Sequence, residues 1–124
     1  MVYKACIEMK LPSLNDYIYS CRANKYKSSS MKREIESSIA VFIRRLPRIT
    51  KPVVIHFHWV EANRLRDLDN IAFSKKFILD ALVRCGKLQD DSQRFVKGFS
   101  DTFEVGKSYK VMLEIEEVEE DDRK

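Results

Sequence analysis

Glycine and proline are scarce in this chain, three of each in 124 residues. That excludes collagen-like and low-complexity architectures. Cysteine is scarce too. Cys6, Cys21 and Cys85 are odd in number, far apart and without a CxxC pair. Such a set is a poor disulfide framework and a poor zinc site, so free thiols in a reducing compartment are expected. No apolar run approaches the ~18–20 residues of a membrane span, so no membrane partner is expected. The opening MVYKACIEMK mixes charged and apolar residues and does not read as a secretory signal; the expected location is cytoplasmic.

What is present is enough for one domain at roughly 100–200 residues per domain. A chain this long buries about two-thirds of its unfolded surface without staples. The expected division is a domain over 1–118 and an acidic tail over 119–124. The formal net charge is +4, but it is unevenly spread. Residues 114–124 hold seven acids and two bases, leaving 21 bases against 12 acids in residues 1–113. A basic body of this kind attracts polyanions through counterion release, although the same bases also serve simply to solvate a surface.

Residues 2–9 alternate and predict a first strand. Pro12-Ser13-Leu14 breaks it, with Asn15 as the expected N-cap of a short helix through Tyr19. Residues 22–33, RANKYKSSSMKR, read as a polar, basic loop leading into a helix after Ser29 or Ser30. Ile35, Ile39, Phe42, Ile43 and Leu46 form that helix's apolar stripe, and Pro47 stops it. Val53, Ile55, Phe57 and Trp59 alternate with Val54, His56, His58 and Val60, predicting a strand with one apolar and one mixed face. A charged loop over 61–69 precedes a helix from about Asn70 to Cys85, closed by Gly86. Residues 93–105 predict a strand, 105–108 a hairpin turn, and 109–115 a last strand. The expected class is α+β: a small mixed or antiparallel sheet with helices on one face.

Arg64-Leu65-Arg66-Asp67-Leu68-Asp69-Asn70 carries the chemistry. Two carboxylates two residues apart on extended backbone point the same way and repel, unless a cation sits between them. Mg²⁺ takes oxygen ligands and keeps several waters, which suits such a pair. Arg64 and Arg66 suit a phosphate held beside it. The plainer alternative is that both acids cap the helix behind them. Lys76, two turns after Asp69 on a continuous helix, shares its face and leans back towards it; pairing with Asp80 is the alternative for this lysine. Asp90-Asp91-Ser92 follows the helix, with a turn as its ordinary role. His56 and His58 share a strand face, but packing is expected of them rather than a metal pair.

Arg66-Asp67-Leu68-Asp69-Asn70, then Lys76 and Asp80-Ala81-Leu82, then Asp90-Asp91-Ser92-Gln93, resembles the RusA family of Holliday-junction resolvases. Pro12-Ser13-Leu14-Asn15-Asp16-Tyr17 is similar to that family's Pro-Ser-x-Asn-x-x-Tyr element. The resemblance implies a small Mg²⁺-dependent endodeoxyribonuclease of bacteria or their phages, with Mn²⁺ as a possible substitute. It implies Asp67, Asp69 and Asp91 as the metal-binding carboxylates. It implies Lys76 as the catalytic lysine if three residues are inserted after Asn70, with Lys75 as the fallback. Four-way DNA is the implied substrate, cut by paired nicks, and a two-fold homodimer is expected for symmetric cutting. Arg64, Arg66, Lys75, Arg22, Lys25, Lys27, Lys32 and Arg33 are the candidate DNA contacts. Tyr17, Tyr19 and Tyr26 are candidates for base stacking. The alternatives are a structure-specific DNA binder without cleavage, and a nuclease for other branched DNA.

Overall fold

The computed structural model describes residues 1–119, with only the backbone of Lys25. Of the acidic tail expected over 119–124, residues 120–124 lie outside the described residues.

The element order is β1 (Val2–Ile7), α1 (Leu14–Ala23), α2 (Lys25–Ile43), β2 (Val53–Glu61), α3 (Leu68–Ala72), α4 (Lys75–Arg84), β3 (Val96–Val105) and β4 (Lys110–Glu117). The strands form one four-stranded mixed sheet in the order β1-β4-β2-β3. β4 is antiparallel to both β1 and β2, and β3 is parallel to β2. The class is therefore α+β, as the sequence pattern implies.

Alternation decides which sheet face is covered. Ile7, Val53, Ile55, Phe57, Trp59, Val111, Leu113 and Ile115 point to one side and are buried. Ile35, Ile39 and Ile43 of α2, Ile71 of α3, and Phe77, Ile78 and Leu82 of α4 complete that core. The other face carries His56, His58, Ser100, Thr102 and Glu114, and stays open.

Four local expectations are corrected. Ser13, not Asn15, caps α1: its hydroxyl accepts from the Asp16 N–H at 3.2 Å, and the Asp16 carboxylate accepts from the Ser13 N–H at 2.9 Å. A reciprocal box satisfies two orphan donors, which a lone Asn15 side chain does not. The basic stretch 22–33 is largely helix, because Asn24 caps α2 by accepting from the Tyr26 N–H at 2.7 Å. Arg22, Lys27 and Arg33 are exposed on helices rather than in a loop. The helix expected over 70–85 is two helices, interrupted at Phe73-Ser74. The buried Ser74 hydroxyl donates to the Pro12 carbonyl, tying the interruption to the chain before α1.

The segment 105–108 is not a hairpin turn, since β2 lies between β3 and β4. It crosses the end of β2 instead, and the Gly106 N–H donates to the Glu61 carbonyl at 2.8 Å. A Cβ on Gly106 would stand 2.7 Å from Val60 Cγ1, so glycine is what permits this crossing.

Candidate active site

The carboxylate pair sits just beyond the C-terminal end of β2, on a loop held by a buried fork. Glu61 occupies a core-facing position, 7% exposed. A carboxylate there needs a cation, and Arg66 supplies it. Arg66 Nε reaches Glu61 Oε1 at 2.7 Å and Nη2 reaches Oε2 at 2.8 Å, while Nη1 donates to the Leu11 carbonyl at 2.8 Å. The Glu61 carboxylate raises the Arg66 pKa above its ordinary value, against the opposing effect of burial, so this guanidinium stays charged. Arg66 is thus committed to the fold and is not the free phosphate grip that its neighbourhood suggested. Asn63 adds a second tie: its side-chain amide donates to Tyr109 Oη at 3.2 Å, and its carbonyl oxygen accepts from the Leu65 N–H at 3.0 Å.

Immediately after Arg66, Asp67 takes the N-cap position of α3 on extended backbone. Its carboxylate makes no capping hydrogen bond. Asp69 is already inside the first turn, so the period-two geometry of an extended pair applies to Asp67 alone. Both residues are exposed, and among the described residues neither carboxylate has a hydrogen bond or an ion pair. Capping therefore does not account for Asp67. Arg64, also exposed, stands beside them. Asp67, Arg64 and Leu68 line one wall of a groove of about 480 Å³ whose other wall is Phe103, Glu104 and Val105 of β3.

Asp91 is elsewhere in the chain. It precedes Ser92, whose carbonyl accepts from Phe95 and Val96, and Phe95 in turn accepts from the Val53 N–H at 2.7 Å. That is the N-terminal end of β2. β2 has nine residues, about 26 Å at roughly 3.3 Å per residue, and Asp67 and Asp69 lie past its far end. Carboxylates that share Mg²⁺ at about 2.1 Å per ligand cannot be so far apart. Among the described residues no group of three or more His, Cys, Asp or Glu side chains is placed to hold a metal. The three acids expected to meet therefore do not meet within one chain.

The two lysines also separate. The helix break at Phe73-Ser74 removes the continuous face that Asp69 and Lys76 were expected to share. Lys76 Nζ lies 3.3 Å from Asp80, one turn along α4, and is 59% exposed. Lys75 points to the sheet: its Nζ is 2.7 Å from Asp101 Oδ2, and Trp59 Nε1 donates to the other carboxylate oxygen at 2.8 Å. The ammonium also lies over the rings of Phe57 and Phe99. Glu61 and Asp101 were the residues missed. Both fall on core-facing positions of their strands, and an acid in such a register is the signal that finds them.

Of the remaining bases, Arg22, Lys27 and Arg33 are exposed, and Lys32 pairs with Asp80 at 3.2 Å. The Lys25 side chain lies outside the described residues. Tyr17 packs against Phe73 and Phe77, which removes it as a stacking platform, whereas Tyr19 and Tyr26 are exposed. His56 and His58 lie on the open sheet face. Their Nδ1 atoms meet Ser100 and Thr102, and their Nε2 atoms lie near Glu116 and Glu104. No described helix is long and apolar enough to cross a membrane.

No protein-family model matches this chain, and no curated protein matches it.

Proposed function

We propose that this protein is a Mg²⁺-dependent endodeoxyribonuclease that nicks four-way DNA junctions in symmetric pairs. The observation that carries the reading is the idle state of Asp67 and Asp69. Two exposed carboxylates, spaced two residues apart, lie where the loop clamped by the Glu61–Arg66 fork enters α3, and neither bonds a side chain or backbone group among the described residues. Both carboxylates are open to a ligand, Asp67 because it holds the N-cap position and caps nothing. Their oxygens suit a hard cation that keeps waters in its remaining positions. Bound there, Mg²⁺ or Mn²⁺ lowers the pKa of a water and offsets charge growing on a phosphate.

The chain's own residues supply the rest. The Arg66 fork fixes the loop, so the carboxylates need little reorganisation to accept a ligand. Arg64 is free to hold a neighbouring phosphate. Lys76, exposed and paired with Asp80 across a single helical turn, is free to swing towards charge developing on the scissile phosphate. Arg22, Lys27 and Arg33, with Tyr19 and Tyr26 exposed on the same two helices, give α1 and α2 a basic, partly aromatic surface for backbone and unpaired bases.

The test is a synthetic four-way junction with Mg²⁺. Wild type yields paired nicks. Asp69→Asn loses cleavage by about 100-fold or more, at about 1.4 kcal/mol per tenfold, while junction binding persists. Equal cleavage by both proteins refutes the assignment. The position of Asp91 favours one second reading, a structure-specific DNA binder without cleavage. On that reading wild type binds the junction and leaves it whole with either metal.

A further inference from the structure

We propose that the hollow where α1 meets α2 is a pocket for an unpaired DNA base, with Tyr19 and Tyr26 as its stacking faces and Lys27 as the grip on the adjoining phosphate. The proposal rests on the DNA-binding part of the reading above and is independent of cleavage.

The hollow holds about 740 Å³, within the roughly 300–1,000 Å³ of small-molecule sites. Residues 16, 19 and 20 of α1 and 27, 30, 31 and 34 of α2 line it. Each set follows the i, i+3, i+4 spacing of one helix face, so two faces meet across a cleft. Tyr26, at the start of α2, completes the wall. It is 84% exposed and Tyr19 is 70% exposed, and among the described residues no other ring packs on either. Open aromatic faces of this kind take bases of any sequence, because every base has a π-face. The polar groups then sort the two ends of a nucleotide. Lys27 Nζ stands 6.0 Å from the Tyr19 ring centroid, so a base laid on that ring brings its phosphate towards the ammonium. Asp16 and Glu34 line the cleft and repel phosphate. The same carboxylates accept from N–H groups, and each of the four bases carries one at its Watson–Crick edge. Ser20 also lines the hollow; it is 4% exposed, and its hydroxyl has no hydrogen-bond partner among the described residues. Buried hydroxyls are rarely left so, and a base edge carries acceptors beside its N–H groups. A polyanion is thereby led in base first. A base inside a duplex must unstack to enter such a cleft, whereas one at a bulge or branch point enters at little cost.

The experiment is fluorescence anisotropy in EDTA, so that nothing is cut. Three probes share one sequence: a paired duplex, the same duplex with a two-nucleotide bulge, and that bulge with both bases removed. Wild type is expected to bind the bulged probe about tenfold more tightly than either of the others. Tyr19→Leu and Tyr26→Leu each remove most of that preference and change binding to the paired and abasic probes by less than about twofold, while Tyr19→Phe and Tyr26→Phe keep it. Both side chains are exposed, so the Leu variants keep the wild-type melting curve. With 2-aminopurine in the bulge, wild type alters the probe's emission and the Leu variants do not. Equal affinity of wild type for the bulged and abasic probes overturns the pocket. So does a loss in the Leu variants that is the same on all three probes, which marks the tyrosines as general surface. Lys27→Met weakens all three probes and lowers the salt slope by about one. An unchanged slope removes Lys27 from the site. A protein that never nicks a junction still passes or fails these assays, so the nuclease reading stands or falls apart from the pocket.

Discussion

The two ends of the β2–β3 pair are built differently. At the C-terminal end, charged side chains fix the loop: Arg66 bonds both oxygens of Glu61 and the Leu11 carbonyl. At the N-terminal end, backbone bonds fix the chain: the Val53 N–H to Phe95, the Ile49 N–H to the Lys87 carbonyl, and a turn accepted by Ser92. Both ends present aspartates to solvent, Asp67 and Asp69 at one, Asp90 and Asp91 at the other. The difference shows what each end tolerates. A buried ion pair is over-determined and fails abruptly when one partner goes. A backbone-bonded turn survives most side-chain changes.

The strongest way to break this contrast is Arg66→Ala. It leaves Glu61 as an unpaired, buried acid, so urea unfolding should show a loss of about 3–5 kcal/mol. Arg66→Lys should rescue little, because an ammonium cannot make the two parallel bonds of the fork. Asp91→Ala at the other end should leave stability within about 0.5 kcal/mol. If the two ends lose stability equally, the contrast is wrong.

Next in size is Asp101→Asn, midway between the ends. The amide oxygen keeps the Trp59 bond, but Lys75 loses its counter-charge. Removing a charged hydrogen-bond partner at a part-buried site costs about 1.5–3 kcal/mol by denaturant melt. Gly106→Ala follows, at about 1–3 kcal/mol, through overpacking against Val60. The double variant with Val60→Ala should recover part of that loss. If it recovers nothing, the crossing over β2 is not what requires glycine.

The strands were legible because each alternates over a buried face, as Val53, Ile55, Phe57 and Trp59 do. Their order was not. That β4 inserts between β1 and β2 depends on pairings between distant segments, and a short Gly106 connection reads locally as a hairpin. The helix break at Ser74 was hidden for the same reason, since its hydroxyl bonds a carbonyl 62 residues away. The start of α2 was misjudged because its polar first turns form a solvent face, and a solvent face resembles a loop. For the candidate site, the motif singled out Asp67 and Asp69 for attention but could not tell a free arginine from a committed one. Arg64 and Arg66 differ only in whether an acid faces them from the core, and Glu61 was readable as that acid from strand parity alone.

The smallest expected effect on the fold separates the two adjacent lysines. Lys76 lies at an exposed i,i+4 contact, and Asp80 keeps Lys32 at 3.2 Å when Lys76 is removed. Lys76→Ala should therefore change stability by less than about 0.5 kcal/mol. Lys75→Ala, by contrast, strands Asp101 and should resemble Asp101→Asn in a melt. Nicking then sorts the roles. If Lys76 acts on the phosphate, its loss lowers the rate by about 100-fold with the melting curve unchanged. An unchanged rate moves the role to Lys75 or removes it. A drop for Lys75→Ala that follows its loss of stability, and vanishes at lower temperature, marks that lysine as a fold anchor only.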